Sequence, residues 1–221
     1  MELEALFENT FPFWKELSPE DKEHLVRNSA NLHFEKKQEV HGNSECSGVF
    51  IVKTGKLRIY MLSEEGKEIT LYRLTHGELC MLSASCVLKT ITFDVFVEAE
   101  IPTECCVISG IAFAEISEKY SSAKIFALET AVARFSDVMW IMQQALFMAF
   151  DKRLAGFLLE EMSSENTETI VMTHEQIANH LGSAREVVSR MLKLFAADGI
   201  VEVSRKGITV KDKSKLRKIA Y

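Results

Sequence analysis

Four polar side chains lie near the start of one predicted helix late in the chain, in a pattern suited to reading DNA bases: Arg185, Glu186, Ser189 and Arg190. An arginine can hold O6 and N7 of guanine through two hydrogen bonds, and a glutamate can accept one from N4 of cytosine, while a serine suits a base or a phosphate. A helix in the major groove places such groups near its N-terminal end. The residue types therefore predict a recognition helix over residues 183–196.

Two helix-start signals surround this group. Thr173-His174-Glu175-Gln176 matches the capping box T-x-x-Q, and Ser183-Ala184-Arg185-Glu186 matches S-x-x-E. Gly182 lies between them, where a glycine commonly ends a helix. Two short capped helices around a glycine turn predict a helix-turn-helix, and we expect the N-terminal regions at Thr173 and Ser183 to contact phosphate.

A basic hairpin is predicted after the two helices. The β-rich runs 200–204 and 208–211 are joined by Arg205, Lys206 and a glycine. This hairpin would be a wing whose tip contacts the DNA backbone.

The charge distribution agrees with a reading surface at this end of the chain. The formal net charge of the whole chain is −6, but residues 151–221 carry 12 Lys and Arg against 10 Asp and Glu. Residues 1–150 carry 14 against 22. Any electrostatic footprint for phosphate must therefore lie in the last third.

The first half of the chain has the periodicity of strands. Between Leu32 and Ser109, β-rich runs at 49–52, 57–60, 69–72 and 95–97 are separated by glycines at intervals of 6 to 11 residues. Short strands with turn signals at this spacing predict a β-barrel or sandwich. The segment 64–67 is predicted to be a hairpin turn.

A long helix is predicted between the strands and the helix-turn-helix. From Ser121 to Ala149, apolar residues follow an unbroken alternation of 3 and 4. One helix cannot bury such a seam alone, so the pattern favours pairing with a second copy, while packing on the barrel is the alternative. Trp140, Ile141 and Phe147 lie off the seam and are expected to pack against the β-domain. The seam comprises Ile125, Leu128, Val132, Phe135, Met139, Met142, Leu146 and Ala149.

The chain has the features of a cytoplasmic protein. Its start is acidic where a secretory signal would be basic, and its longest apolar stretch, 138–150, is interrupted by two glutamines and too short to span a membrane. Five cysteines with no regular spacing argue against a disulfide framework.

Residues 181–190, LGSAREVVSR, resemble the recognition motif of the CRP/FNR superfamily, which has the patterns R-E-x-x-x-R and E-x-x-S-R. The order of β-roll, Gly77-Glu78-Leu79 turn, long helix, segment 151–155 and wing is also similar to that family. The resemblance implies an α+β fold with an N-terminal double-stranded β-helix (a jelly roll like cyclic-nucleotide-binding domains) over 1–118. A dimerisation helix over 119–150 and a winged helix-turn-helix over 151–221 would follow.

The resemblance also implies an activity. It predicts a homodimeric transcription activator or repressor, not an enzyme, that binds double-stranded DNA at an inverted repeat and contacts RNA polymerase. Arg185, Glu186 and Arg190 would read a TGA core in each half-site. Because Ser189 accompanies Arg185, the flanking base stays open between the two branches of the family.

The sensed signal is predicted not to be a cyclic nucleotide. In members that bind cyclic AMP, an Arg-Ser pair neutralises the phosphate, but the corresponding positions here hold Phe93 and Asp94. A carboxylate at that place would repel the ligand. An iron–sulfur cluster is not expected either, because no cysteine precedes Cys46.

The resemblance places an effector pocket near Gly77, Glu78, Cys80, Cys86, Phe93, Asp94 and Trp140. Cys80 and Cys86 could be small buried hydrophobic residues, or a redox switch. With His76 they could instead ligate a haem. A small organic effector in an apolar pocket is a further possibility.

Two other function classes compete. A cupin-like metal enzyme would need converging histidines, and the spacing of His33, His41 and His76 suggests no such cluster, so no metal ligand is assigned. A protein-interaction scaffold with a helix-turn-helix that does not bind DNA would make Arg185 and Arg190 dispensable.

Overall fold

The computed structural model describes residues 2–41, 48–81 and 95–221. The chain divides into two compact units. The first comprises residues 1–61 and 71–138, and the second comprises residues 62–70 and 139–221. Within the described ranges, no helix is both long enough and apolar enough to cross a membrane.

The strands of the first half form two antiparallel sheets. One sheet has the order β1-β8-β3-β6 and the other has the order β2-β7-β4-β5, which is the predicted jelly roll. The predicted runs coincide with β3, β4, β5 and β7, and the predicted turn at 64–67 joins β4 to β5. The strands are β1 Ser29–Phe34, β2 Glu39–His41, β3 Val49–Thr54, β4 Leu57–Leu62, β5 Glu68–Leu74, β6 Leu79–Cys80, β7 Phe96–Ala99 and β8 Thr103–Ile108.

The helices of the first unit pack against one another through a cluster of aromatic rings. Rings of Phe11 and Phe13 lie 5.2 Å apart, and both contact Phe113 and Phe126 at 5.7 to 6.2 Å. Edge and offset ring contacts of this kind add to the free energy gained by burial. The helices are α1 Glu2–Thr10, a 3-10 helix Pro12–Glu16, α2 Pro19–Arg27 and α3 Gly110–Lys119.

The carboxylate of Asp21 joins α2 to the end of α3. Its Oδ2 accepts hydrogen bonds from Lys119 Nζ and Tyr120 Oη, both at 2.6 Å, and from the N-cap residue Ser18. These donors, Lys119 foremost, lower the pKa of Asp21 to about 2. The contact therefore orders the chain immediately before the long helix.

The long helix α4 spans Ser121–Phe147 without interruption. Its 27 residues give a length of about 40 Å. The apolar seam residues from Ile125 to Leu146 are 39% to 65% exposed in the single chain. The residues of the heptad pattern therefore lie on one continuous helix, and their apolar side chains form a stripe that is exposed in the single chain.

The helices and short strands of the second unit share one core. The three strands form an antiparallel sheet of order β10-β11-β9. Leu154, Leu158, Ile177, Val188 and Leu192 are fully buried in this core. The elements are α5 Phe150–Glu165, β9 Thr169–Ile170, α6 His174–Leu181, α7 Arg185–Ala197, β10 Val201–Ser204, β11 Gly207–Val210 and α8 Lys213–Ala220.

Candidate nucleic-acid interface

Helix α6 begins with the predicted capping box. Thr173 Oγ1 accepts from the backbone N–H of Gln176 at 3.1 Å, and Thr173 N donates to Gln176 Oε1 at 2.8 Å. The predicted cap at Thr173 is therefore confirmed.

The second predicted capping box is wrong. Helix α7 begins at Arg185 with Ala184 as its N-cap residue, and no side chain caps it. The backbone N–H of Ser183 instead donates to Ala178 O at 2.9 Å, which closes the end of α6. Because Ser183 belongs to that turn, the recognition helix starts two residues later than predicted and ends at Ala197.

The turn between α6 and α7 depends on a left-handed glycine. Gly182 ends α6 with φ of 57°, a conformation that costs other residues about 1–2 kcal/mol. Arg153 of α5 donates from Nη1 to Leu181 O at 3.0 Å, and the ring of His180 stacks on Phe157 of α5 at 5.4 Å. Helix α5 thus fixes the C-terminal end of α6 and the direction in which α7 leaves the turn.

Helix α7 has one apolar and one charged face. Val188, Leu192 and Phe195 are buried in the core of the second unit. Arg185, Glu186 and Arg190 are exposed, and Ser189 is half-buried. The apolar anchor therefore presents the three charged residues to solvent together.

The predicted wing is present. Strands β10 and β11 pair from Val201–Val210 to Ser204–Gly207, which places Arg205 and Lys206 at the exposed tip. Gly207 has φ of 134°, and a Cβ there would lie 2.4 Å from Ile170 O. The tip of this hairpin therefore requires glycine at the position after its two cations.

Four exposed cations on α7 and at the tip of the wing have no ion-pair partner in the described part of the chain. Arg185, Arg190, Arg205 and Lys206 make no ion pair there, whereas Lys211 Nζ lies 2.6 Å from Glu202 Oε2. Unpaired cations keep their full attraction for an anionic ligand.

Two further residues of this region were not predicted from the sequence, the histidine His174 and the cation Lys193. Burial, Arg185 and Lys193 lower the pKa of His174. Lys193 is exposed on α7. A histidine inside a capping-box motif carries no distinctive signal in the sequence, so only the packing of α6 on α7 reveals it.

Three of the predicted effector-pocket residues are described in the β-roll. The Gly77 N–H donates to Val52 O, and the Glu78 carboxylate accepts from Thr75 at 2.8 and 3.0 Å. Arg134 of α4 lies 3.5 Å from Glu78 Oε1 and 4.8 Å from the centre of the Tyr72 ring. This part of α4 is therefore connected to the Gly77-Glu78 turn within the first unit.

Four further residues were predicted for the effector pocket, namely Cys86, Phe93, Asp94 and Trp140. Cys86, Phe93 and Asp94 lie outside the described residues. Trp140 belongs to the second unit, where it lines an open groove of about 380 Å³ with Phe147 and Met148. Trp140 and Phe147 are 55% and 82% exposed, so the burial that we predicted for these two is not found in the single chain.

The described cysteines are buried. Cys80, Cys105 and Cys106 are thiols outside any disulfide bond and have no solvent exposure. Burial raises the pKa of Cys105 to about 12 and that of Cys106 to about 11, which suppresses their thiolate forms. His76 places Nδ1 2.5 Å from Lys53 O. No group of three His, Cys, Asp or Glu in the described ranges could hold a metal ion.

Both halves of the chain match known protein families. A family model for a Crp-like helix-turn-helix domain matches residues 152–219, and one for a cyclic nucleotide-binding domain matches residues 32–120. The crystal structure of a protein from Eubacterium rectale ATCC 33656, described as a transcriptional regulator of the crp/fnr family, is 43% identical. It matches with a TM-score of 0.92, covering 96% of this chain and 99% of that one.

Two transcriptional activator proteins are more distant relatives. The protein anr of Pseudomonas aeruginosa is 27% identical over 180 residues, which are 78% of this chain and 72% of the relative. The protein FnrA of Stutzerimonas stutzeri is 28% identical over 174 residues, which are 75% of this chain and 70% of the relative.

The β-roll, long helix and helix-turn-helix, together with these similarities, define a transcription regulator. The chain belongs to the CRP/FNR superfamily.

Proposed function

We propose that the chain is a sequence-specific DNA-binding protein that acts as a homodimer at an inverted repeat. The observation that carries this proposal is the exposed face of α7, where Arg185, Glu186 and Arg190 have no ion-pair partner among the described residues. Because the apolar face of α7 is anchored in the core, this charged face is pre-ordered for the major groove.

Each charged residue has a stereochemically suitable base. One of the two arginines, Arg185 or Arg190, would donate two hydrogen bonds to the single guanine of a TGA core, and Glu186 would accept from the cytosine paired with it. The other arginine would contact an adjoining position of the half-site. Together they would read the TGA core of each half-site, and Ser189 would contact an adjacent base or phosphate.

Contacts to the sugar–phosphate backbone would fix the register of the protein on the duplex. Arg205 and Lys206 at the tip of the wing are exposed and suited to phosphate oxygens. The chain around Thr173 and Ser183 would approach phosphates on the other side of α7. Such contacts add affinity but carry no sequence information.

The apolar stripe of α4 is proposed to bind the same stripe of a second copy. Leu128, Val132, Phe135, Met139, Met142 and Leu146 repeat with heptad spacing and are exposed along one helix. Knobs-into-holes packing would bury this stripe in a parallel pair. A two-fold symmetric dimer presents two copies of α7, and it therefore requires an inverted repeat with half-sites about one helical turn apart.

The β-roll is proposed to sense a signal that is not a cyclic nucleotide. The basis is the sequence, since Asp94 stands where a phosphate-binding group would be needed. The buried thiols of Cys105 and Cys106 suit packing better than redox chemistry. An absorption spectrum of protein purified without oxygen tests for haem. A Soret band would identify haem and would implicate His76, Cys80 or Cys86 as its ligand.

In this proposal the sensing domain covers residues 1–118, the dimerisation helix 119–150 and the DNA-binding domain 151–221. As a regulator of bacterial genes the protein would act in the cytoplasm and would contact RNA polymerase when it activates transcription.

The proposal is tested by selecting bound duplexes from a library of random sequence with the full-length protein. We expect enriched sequences to be inverted repeats with a guanine in each half-site. Enrichment that is lost in the variant Arg185→Ala/Arg190→Ala would assign the preference to α7. Absence of any enrichment with the wild-type protein would contradict the proposal and favour a protein-interaction scaffold.

A further inference from the structure

The hairpin between β4 and β5 contributes residues to the second unit. Residues 62–70 belong with residues 139–221, whereas the rest of β4 and β5 belongs to the first unit. Strand β5 therefore crosses from one unit to the other, with residues 68–70 in the second and residues 71–74 in the first. The two units are thus connected covalently through this hairpin as well as through α4.

A buried threonine of this hairpin contacts the end of α6. Thr70 Oγ1 and Nδ1 of His180 are hydrogen-bonded at 2.8 Å, and His180 is the penultimate residue of α6. The ring of His180 also stacks on Phe157 of α5, with the ring centres 5.4 Å apart. Because Thr70 is buried, loss of its hydroxyl would leave a buried polar atom of the imidazole to find another partner.

The residue before this threonine packs on the turn of the helix-turn-helix. A Cβ at Gly182 would lie 2.9 Å from Cδ1 and 3.2 Å from Cβ of Ile69, so the side chain of Ile69 fills the space beside this glycine. Gly182 is the left-handed residue that ends α6, three residues before α7 begins. Ile69 and Thr70 therefore contact the two residues that flank Leu181, at the point where the chain turns towards the recognition helix.

The other connection to this part of the chain is a short non-helical joint. Helix α4 ends at Phe147 and α5 begins at Phe150, and Ala149 between them is extended with ψ of 148°. Rotation about the backbone bonds of such a joint would change the direction of every helix that follows it. A second point of contact, made by the hairpin, removes part of this freedom.

We infer that Ile69 and Thr70 are positioning residues for DNA recognition, which fix the direction of α7 so that the dimer accepts one spacing between half-sites. The inference rests on the proposed function and gives a part in selecting the operator to two residues outside the DNA-binding surface. They act through His180 and Gly182, whose turn leads into α7.

The expected effect is on spacing more than on base preference. One added base pair moves a half-site by about 3.4 Å along the duplex and turns it by about 35°. Helices held in one direction cannot follow this change, whereas loosely held helices can, at the cost of ordering them on binding. We therefore expect loss of the contact to weaken binding at the selected spacing by about three- to tenfold and to reduce discrimination against other spacings by about tenfold.

The experiment is a set of fluorescence-anisotropy titrations at fixed salt, with the selected inverted repeat and with repeats whose spacers are one base pair shorter or one or two longer. Thr70→Val, which removes the hydroxyl and keeps the shape, and Ile69→Ala should both show the weaker binding and the broader tolerance of spacing. Thr70→Ser restores a hydroxyl and should restore the narrow preference. Thr54→Val is the matched control, because Thr54 is exposed at the end of β3, and it should behave as the wild type does.

A spectroscopic measurement tests the contact itself. In protein with ¹⁵N-labelled histidine, the Nδ1 signal of His180 should shift in Thr70→Val and should return towards its wild-type position in Thr70→Ser. An unchanged signal in Thr70→Val would overturn the inference, and so would an unchanged spacing preference. Tighter binding by Thr70→Val at the selected spacing would also overturn it, because the hairpin would then oppose binding.

These outcomes are distinct from a failure of the proposed function. Each of them leaves the wild-type protein with a preference for the selected repeat over a scrambled duplex. Equal affinity of the wild type for both duplexes would contradict the proposed function itself.

Discussion

At the scale of single residues, the proposed reading of DNA depends on charged groups that have no other use in the fold. Arg185 is exposed and makes no ion pair with a described residue. We expect Arg185→Ala to weaken binding to the selected duplex by about 1–3 kcal/mol and to relax the preference at one guanine, because a bidentate contact is lost. Anisotropy titrations against duplexes substituted at each base pair measure both effects.

The control for this prediction is Lys36→Ala, which removes an exposed cation far along the sequence from the helix-turn-helix. It should leave both the affinity and the base preference unchanged. Undiminished discrimination in Arg185→Ala would remove this residue from base reading.

Asp21 gives a prediction about stability and pH. Its pKa is about 2 in the folded protein, lowered from the ordinary value of 3.8 by Lys119, Ser18 and Tyr120. A lowered pKa stabilises the fold above pH 3.8, and this stabilisation is lost as pH falls towards 2. We expect Asp21→Asn to reduce the free energy of unfolding at pH 7 by about 1–2 kcal/mol, measured by urea denaturation.

The same comparison near pH 2 supplies the check on this interpretation. There the Asp21 carboxyl of the wild type is partly protonated, so the difference between the wild type and Asp21→Asn should shrink. A difference of constant size across the range would show that the ion pair with Lys119 does not stabilise the fold.

At the scale of elements, the turn between α6 and α7 determines how the recognition helix is presented. Gly182 has φ of 57°, whereas Gly156 lies within α5 and a Cβ there meets no atom within 4 Å. We expect Gly182→Ala to lower the free energy of unfolding by about 1–2 kcal/mol and to weaken DNA binding. Gly156→Ala should raise the free energy of unfolding by about 0.5–1 kcal/mol and should leave binding unchanged.

Thermal or urea denaturation of the two variants, followed by a titration with the selected duplex, compares the two glycines directly. Equal stability changes in both variants would contradict the role assigned to the left-handed turn.

Elements with strong local patterns could be predicted from the sequence. The capping box at Thr173 and the continuous helix α4 follow from short-range periodicity, and the wing follows from β-rich runs around a glycine. The cap at Ser183 was wrong because that residue closes the preceding helix, and a local motif cannot show which of two helices uses a residue.

Contacts between residues distant in sequence could not be predicted. Arg153 donates a hydrogen bond to the carbonyl of Leu181 because α5 packs on α6. Lys193 lowers the pKa of His174 because α7 packs on α6. Cys105 and Cys106 are adjacent on β8, yet both are buried, which shows that both faces of this strand are covered. Tertiary packing determined each of these features.

At the scale of the whole molecule, the stripe on α4 is proposed to make the dimer. A charge in the seam would be buried without a partner, so Met142→Glu should give monomers in analytical ultracentrifugation. These monomers should lose binding to the inverted repeat because each presents only one recognition helix.

Gln143→Glu is the matched control, because Gln143 is exposed on the same turn of α4 but lies off the heptad seam. It should remain a dimer and should bind DNA as the wild type does. A dimer that persists in Met142→Glu would contradict the interpretation of the heptad pattern.

The measurement that tests the central claim most directly is the ratio of affinities for the selected inverted repeat and for a duplex of the same composition in scrambled order. Both are titrated with the full-length protein at one physiological salt concentration, because salt changes both affinities. Sequence-specific reading by α7 predicts a ratio of about 10³ or more. A ratio near one would mean that the cations of α7 and the wing hold DNA without reading it, and would contradict the account.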